Sequence, residues 1–474
     1  MLIIQNGFEC RYELNIFAGL FFGDDEDVTV CSDLKYDGRV INVYTQINFN
    51  GKAYFDDFYF SYENAGKKVL TCACTRSFCR AAGKIRKINL PWGVMCGIRP
   101  AKNVREMKES GLDENAVRAA LRDIYDVSPE KIDLAVNVAK NEEYLLSKIP
   151  ENSVSLYIGI PFCPTRCLYC SFVSTDVRVS GKYMDGFVEK LLLEIDKTSQ
   201  LLEDAGLFAN NIYIGGGTPT TLSETHLGAI FKRLQKRFDF SKIGEFTLEA
   251  GRPDTITPEK LSAARCGGVN RISINPQTLN NETLKRIGRS HSAELFFEKF
   301  ALARSFGFDN INTDLIAGLP GENTEMFKNS IDGVLALDPE NVTIHSMCVK
   351  RAASLRFTDT HLTEGKLMNE MLGYAQKRMA ETKREPYYMY RQKNISGNLE
   401  NVGYAKQGKM SAYNVNIMEE KQTIIALGGG GSTKVVRGGR IERIFNFKDP
   451  LEYIRRFDEI LKKKDETAEV IKGE

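Results

Sequence analysis

Histidine is scarce in this chain: there are four in 474 residues, at positions 226, 291, 345 and 361, and a single tryptophan, Trp92. So few imidazoles give little scope for a zinc site built on histidine or for a choice of haem ligands. Long apolar runs are missing as well. No stretch approaches the roughly 18 residues of a membrane span, and the amino terminus lacks a basic region followed by an apolar one and a cleavage site. The expectation is a cytoplasmic protein without a membrane span. An excess of either charge is also absent, with Lys plus Arg at 64, Asp plus Glu at 62 and a formal net charge of +2. No bulk field draws such a chain to nucleic acid or lipid, which favours an enzyme acting on a small molecule. The length is enough for a full core and for more than one domain.

Cysteine is present in an odd number, 11. Without a secretion signal these read as thiols and metal ligands rather than a disulfide framework. Three of them organise the chain. Cys163, Cys167 and Cys170 stand in Tyr157-Ile158-Gly159-Ile160-Pro161-Phe162-Cys163-Pro164-Thr165-Arg166-Cys167-Leu168-Tyr169-Cys170, on a loop leaving an apolar strand through Pro161 and Pro164. A [4Fe–4S] cube is normally held by four thiolates, and three from one short loop leave one iron open to a small chelating molecule. The amine and carboxylate of S-adenosylmethionine suit that iron. A structural zinc would need a fourth ligand, and the nearest downstream candidates, His226 and Cys266, are distant. Cys72, Cys74 and Cys79 match no metal spacing, and buried small residues account for them more simply.

Residues 1 to about 62 are β-rich, at Leu2–Ile4, Val28–Cys31, Val40–Phe49 and Ala53–Phe60, with Asn50-Gly51 as a hairpin turn. Helical patterns follow from about Thr75 to Arg86 and from Glu114 to Lys148. From Ser153 the texture becomes alternating. Apolar strands at Leu156–Ile160, Asn211–Ile214, Phe246–Leu248, Arg271–Ile274, Ile311–Ile316 and Val342–His345 are separated by helix-length segments, which means a parallel sheet. Six such units give an α/β fold, a partial (β/α)₆ TIM-like barrel, with chemistry at the carboxyl ends of its strands. Polar residues and glycines do gather there: Gly215-Gly216-Gly217-Thr218-Pro219-Thr220 after the second strand, Glu249 after the third, Gln277 after the fourth, and Asp314 inside the fifth, with Arg289 twelve residues beyond Gln277.

The cysteine spacing, Tyr169 before the last cysteine and the Ile-Pro-Phe lead-in resemble the radical S-adenosylmethionine superfamily. With the strand-end residues added, residues 155 to 345 resemble the oxygen-independent coproporphyrinogen III oxidase family, also called coproporphyrinogen dehydrogenase. The resemblance implies a radical S-adenosylmethionine barrel in which Cys163, Cys167 and Cys170 hold a [4Fe–4S] cluster. It implies that Tyr157, Gly216, Gly217, Thr218, Glu249, Gln277, Arg289 and Asp314 bind one or two S-adenosylmethionines, and that Tyr169 lies against the adenine mainly through its backbone. The activity it implies is oxidative decarboxylation of two propionate side chains of coproporphyrinogen III by a 5′-deoxyadenosyl radical, giving protoporphyrinogen IX in haem biosynthesis. The implied partners are a tetrapyrrole substrate and a small electron-donor protein of flavodoxin or ferredoxin type.

This chain departs from the family pattern in three places. Gly159 stands where the best-studied members carry a histidine, Pro164-Thr165-Arg166 differs from the commonest loop, and residues 1–150 do not resemble those members' short amino-terminal arm. The expected organisation is an N-terminal α+β module of unknown role at 1–150, the barrel at 151–350 and a mixed extension on the substrate side at 351–474. In the extension, Lys350–Ser354 follows His345 and Cys348, and an amphipathic helix is expected over 363–383. Next comes Pro386-Tyr387-Tyr388-Met389-Tyr390-Arg391-Gln392-Lys393-Asn394, whose rings and cations suit a flat macrocycle with propionate arms or, equally, a strand with buried aromatics. Leu427–Thr433 resembles the stretch that closes over the cofactor, and the charged tail 462–474 reads as a solvated helix end. Two other classes remain open: a haem chaperone with His345 or Cys348 as ligand, and a radical methyltransferase or haem-degrading enzyme on the same scaffold.

Overall fold

The computed structural model describes residues 1–23, 27–61, 66–95, 97, 99–170, 174–348, 365–392 and 398–473. The chain divides into two compact units, one built mainly from Met1–Ala139 and the other from Lys140 onward. The first contains β1 (Leu2–Asn6), α1 (Arg11–Phe22), β2 (Val28–Asp37), β3 (Val40–Phe49), β4 (Lys52–Ser61), α2 (Lys67–Gly83), α3 (Pro100–Glu109), α4 (Glu114–Asp123) and the start of α5 (Pro129–Leu146). Its sheet runs β1-β2-β3-β4, with β1 parallel to β2 and the rest antiparallel. Asn50 and Gly51 both take positive φ, as the tight hairpin between β3 and β4 requires. The helical pattern read as continuous over 114–148 is interrupted: Asp126 turns left-handed, and Pro129 restarts the chain as α5. Cys72, Cys74 and Cys79 lie on α2, where Cys74 is buried in hydrogen-bond contact with Cys10 and Ser32.

The second unit continues with β5 (Ser153–Ile160), β6 (Phe162–Cys163), β7 (Thr175–Asp176), α6 (Val177–Ser180), α7 (Met184–Asp204), β8 (Phe208–Gly216), α8 (Glu224–Arg237), β9 (Glu245–Glu249), α9 (Pro258–Cys266), β10 (Arg271–Ser273), α10 (Asn281–Arg286), α11 (Ala293–Ser305), β11 (Ile311–Ala317), α12 (Thr324–Ala336) and β12 (Asn341–Ser346). Then follow α13 (Gly365–Glu381), β13 (Glu385–Arg391), β14 (Glu400–Ala405), α14 (Ala412–Glu419), β15 (Ile424–Gly428), β16 (Ser432–Arg437), β17 (Arg440–Phe445), α15 (Pro450–Arg455) and α16 (Phe457–Lys472). Eleven strands form one sheet in the order β13-β14-β12-β11-β10-β9-β8-β5-β15-β16-β17. The six strands expected from the sequence are its parallel centre, and their near-continuous apolar character follows from burial on both faces. Helices between them open on Ser223, Thr257, Asn280, Ser292 and Asn323, whose side chains accept first-turn N–H groups.

The carboxyl-terminal third differs most from expectation. β15 adds a seventh parallel strand beside β5, with Gly428 opposite Gly159, so the stretch read as a loop from Leu427 begins as sheet. The aromatic segment is a strand in the core: Tyr387, Tyr388 and Met389 are buried, and Tyr387 and Tyr388 pack with Ala405 and Val415. The macrocycle alternative for these two rings is therefore corrected. The tail is not solvated throughout either, since Lys464 on α16 is buried against Glu194 of α7. The Lys350–Ser354 stretch, residues 363–364 of the expected helix, and Lys393 and Asn394 lie outside the described residues.

Candidate functional site

The cysteine loop leaves β5 at the carboxyl end of the parallel strands. Leu168 N–H donates to Ile287 O at 3.0 Å and Cys170 N–H to Cys167 O at 3.1 Å, which ties the loop to the turn before Gly288 and closes it on itself. Cys163 Sγ lies 3.5 Å from Thr218 Oγ1. Cys167 is buried, and its Sγ accepts from Arg252 Nη1 at 3.7 Å. None of the three thiols is in a disulfide. Among the described residues no three His, Cys, Asp or Glu side chains converge on a single metal ion.

The glycines after β8 serve this loop. A Cβ on Gly217 would lie 2.6 Å from Phe162 O and one on Gly216 3.0 Å from Ile160 O, while Gly217 N–H donates to Ile160 O at 2.8 Å and Thr218 N–H to Phe162 O at 2.7 Å. Their missing side chains therefore let β8 approach the strand that delivers the cysteines. Gly159 is closed in the same way: a Cβ there would lie 2.5 Å from Gly429 O, and Gly429 N–H donates to Gly159 O at 2.9 Å. The position at which the resembled enzymes carry histidine has no room for a side chain in this chain. Gly159→Ala is expected to cost about 1–3 kcal/mol by overpacking, and Gly159→His more. Denaturant unfolding of the two variants checks this, and a wild-type midpoint for Gly159→His would show that the β15 turn yields freely.

Two groups of side chains occupy the strand ends. In the first, Arg289 donates to Tyr169 Oη from Nε and Nη2 (3.3 and 3.0 Å) and to Gly251 O from Nη1 (2.8 Å). Tyr169 also packs on Leu284, Ile287, Ile316, Leu319 and Met347. Arg252, Asp254 and His291 complete this group around Cys167. In the second, Tyr213 Oη donates to Glu249 Oε1 at 2.5 Å, and the rings of Tyr157, Tyr213 and Tyr413 stack, with Tyr413 4.3 Å from Tyr213. Asp314 accepts from Asn312 Nδ2 at 2.8 Å and Asn275 Nδ2 at 2.9 Å, and His345 Nε2 lies 3.6 Å away. Gln277 is buried at φ 68°, its N–H donating to Asp314 O at 3.0 Å and its carbonyl accepting from Ile316. A non-glycine residue held left-handed at a strand end stores strain of the kind concentrated at functional sites.

The two carboxylates differ in charge state. Burial pushes Glu249 up to about 7 against the hydrogen bond from Tyr213, with the negative charge of Asp314 adding to the rise. For Asp314, burial is outweighed by His345, Asn312 and Thr343, and its pKa lies below the usual value. Glu249 therefore favours the folded state most below its ordinary pKa of 4.5, and that contribution is lost as pH rises through about 7. Glu249→Gln should gain stability relative to wild type across this interval, on the order of 3 kcal/mol. Unfolding free energies of both proteins at the two ends of the interval test this, and a constant difference would refute the shift.

The structure thus places Tyr169, Cys167 and Arg289 in one group, Tyr157, Glu249, Gln277 and Asp314 in another, and Cys163 beside Thr218. Sequence reasoning missed Arg252, Asp254, Tyr213 and Asn275. Arg252 follows Glu249 by three residues and Tyr213 alternates with Gly215 along β8, so the strand-end rule carried to the next positions would have found both.

Residues 157–333 match the family model of the radical SAM superfamily. The chain is 40% identical over 382 residues to the oxygen-independent coproporphyrinogen-III oxidase-like protein HemZ of Bacillus subtilis, covering 78% of this chain and 75% of that protein. It is 37% identical over 199 residues to the heme chaperone HemW of the same organism, covering 41% of this chain and about half, 51%, of the chaperone. Among solved structures, coproporphyrinogen III oxidase from Escherichia coli, a radical SAM enzyme, superposes with a TM-score of 0.54 over 68% of this chain and 73% of that one at 23% identity, a likeness of fold. With three quarters of a 40% identical relative matched and the superfamily model lying on the barrel that carries the cysteine loop, the chain belongs to the oxygen-independent coproporphyrinogen III oxidase-like family of radical SAM proteins.

Proposed function

We propose that Cys163, Cys167 and Cys170 hold a [4Fe–4S] cluster and that the chain uses it with S-adenosylmethionine to decarboxylate propionate side chains of coproporphyrinogen III oxidatively. Membership of the superfamily implies the cluster and S-adenosylmethionine, and the family's names point to a tetrapyrrole. The donor set supports the ligand assignment. Three cysteines stand on one short loop, none of them in a disulfide, the number that leaves one iron of a cube without a protein ligand.

The observation that carries the reading is the pair of carboxylates at the strand ends. Glu249 is held by Tyr213 and pushed up to about 7, while Asp314, beside His345, Asn312 and Thr343, lies below the usual carboxylate value. When bound, the cluster and S-adenosylmethionine supply a one-electron route to a carbon radical able to take hydrogen from a C–H bond. Asp314 offers an anion to an ammonium group, and Glu249 accepts from sugar hydroxyls. Arg289 spends three of its five donors on Tyr169 and Gly251, and the remaining N–H groups suit a carboxylate. Tyr157 and Tyr213 line this group with stacked rings. At the substrate, loss of one hydrogen atom, carbon dioxide and one electron converts a propionate into a vinyl group.

A second reading, a haem chaperone, draws on the identity to HemW. His345, its candidate ligand, is already held between Asp314 and Tyr390, whose Oη lies 3.4 Å from Nδ1. An anaerobic assay with reconstituted protein, reductant, S-adenosylmethionine and coproporphyrinogen III separates the readings. The decarboxylase reading expects two successive losses of carbon dioxide plus two hydrogens, each matched by one 5′-deoxyadenosine. Cleavage with the porphyrinogen unchanged would discard this substrate, with methylated or ring-opened tetrapyrroles indicating another radical reaction. Haem retained without 5′-deoxyadenosine would establish the chaperone.

A further inference from the structure

Arg252 stands three residues after β9 with its side chain buried. Nε and Nη2 form a paired contact with Asp254, at 3.0 and 2.9 Å. Nη1 reaches the other way, into the cysteine loop: it donates to Thr165 O at 3.4 Å, to Thr165 Oγ1 at 3.1 Å and to Cys167 Sγ at 3.7 Å. A buried guanidinium is costly unless its donors are met. Here a carboxylate takes one edge and the thiol-bearing loop takes the other, an arrangement that relies on the rigid fork of arginine and that a lysine cannot reproduce. Asp254 fixes the direction in which Nη1 points.

Nearby groups sharpen the picture. Burial, together with the positive charges of Arg289 and Arg252, pushes His291 down to about 4, so it is neutral at physiological pH. Arg252 and Arg289 both place permanent positive charge near Cys167, and Arg252 donates to its sulfur.

On the reading that Cys167 ligates the cluster, we propose that Arg252 is a positioning residue that stabilises the reduced cluster through its hydrogen bond and charge at Cys167 Sγ. Arg252 thereby sets the potential at which the cluster accepts an electron. Hydrogen bonds to cluster sulfurs and local charge are the levers by which proteins tune such potentials. Adding an electron makes the sulfur a better acceptor, so a fixed donor favours the reduced state. The electron comes from an external low-potential donor, and Arg252 itself exchanges neither proton nor electron.

The test is a potentiometric titration of the reconstituted full-length protein with titanium(III) citrate, read by electron paramagnetic resonance alongside iron and sulfide content. Arg252→Gln, with wild-type iron and sulfide, should make reduction at least tenfold less favourable, about 59 mV more negative for a one-electron couple. Arg252→Lys keeps a cation but not the fork, and should shift the same way by less. Should Arg252→Gln not fold, the shift of Arg252→Lys decides. Wild-type potentials in the folded variants would overturn the proposal, as would loss of the cluster from both, which would make Arg252 a clamp on the loop alone. If Cys167→Ala retains the wild-type cluster spectrum, the ligand reading fails and the proposal falls with it, an outcome the titration of the arginine variants cannot mimic.

Discussion

Replacing Lys464 by methionine is expected to destabilise the second unit by about 3–5 kcal/mol, because it leaves a buried carboxylate without its counter-ion. Glu194 and Lys464 are 0% and 2% exposed and 3.0 Å apart. Lys464 Nζ also donates to Ala426 O at 2.5 Å. The other donors to Glu194 are Tyr453 Oη at 2.5 Å, Asn446 Nδ2 at 2.9 Å and Gly428 N–H at 2.8 Å. Methionine fills most of the lysine's volume, so the loss measures charge rather than a cavity. Removing both charges in Glu194→Met/Lys464→Met should recover much of it, since the pair's own attraction is offset by the desolvation of two ions. Denaturant unfolding of the three variants checks this, and a neutral Lys464→Met would mean that water or another cation reaches Glu194. The network matters to the site because it fixes Gly428, whose neighbour Gly429 closes over Gly159 on the strand leading to the cysteines.

Cys167→Ala should reduce 5′-deoxyadenosine formation to background and abolish any change in the porphyrinogen, while leaving the fold intact. On the proposed ligand assignment two thiolates would remain from the loop and the most deeply buried of the three would be gone, whereas the removed side chain is small and lies on a loop outside the central sheet. The check is product analysis beside the far-ultraviolet circular dichroism of the variant. Full activity in Cys167→Ala would remove the loop from the mechanism.

The parallel centre of the sheet was legible because strands buried on both faces must be apolar along their length, as Leu156–Ile160 and Ile311–Ile316 are. Polar residues inside or just beyond such runs are not called for by packing, which is why Glu249, Gln277 and Asp314 stood out. What escaped depends on partners distant in sequence. Nothing local to Ile424–Gly428 says that it pairs with Ser155–Gly159, and nothing local to Lys464 marks it as buried, since its partner Glu194 lies on another helix. Tyr387 and Tyr388 offered two environments with the same composition, and only the sheet order, with β13 beside β14, decides between them. Arg252 did not stand out at all, because the cysteine loop it reaches lies far away in the chain and is brought to it by the fold.

Electron paramagnetic resonance of the reduced, reconstituted protein with and without S-adenosylmethionine tests most directly the proposed cluster, with one iron left open beside three cysteine ligands. The expected result is a reduced [4Fe–4S] signal in wild type that changes when S-adenosylmethionine is added and is missing in Cys167→Ala. A cluster signal indifferent to S-adenosylmethionine, or one that survives the loss of Cys167, would contradict it.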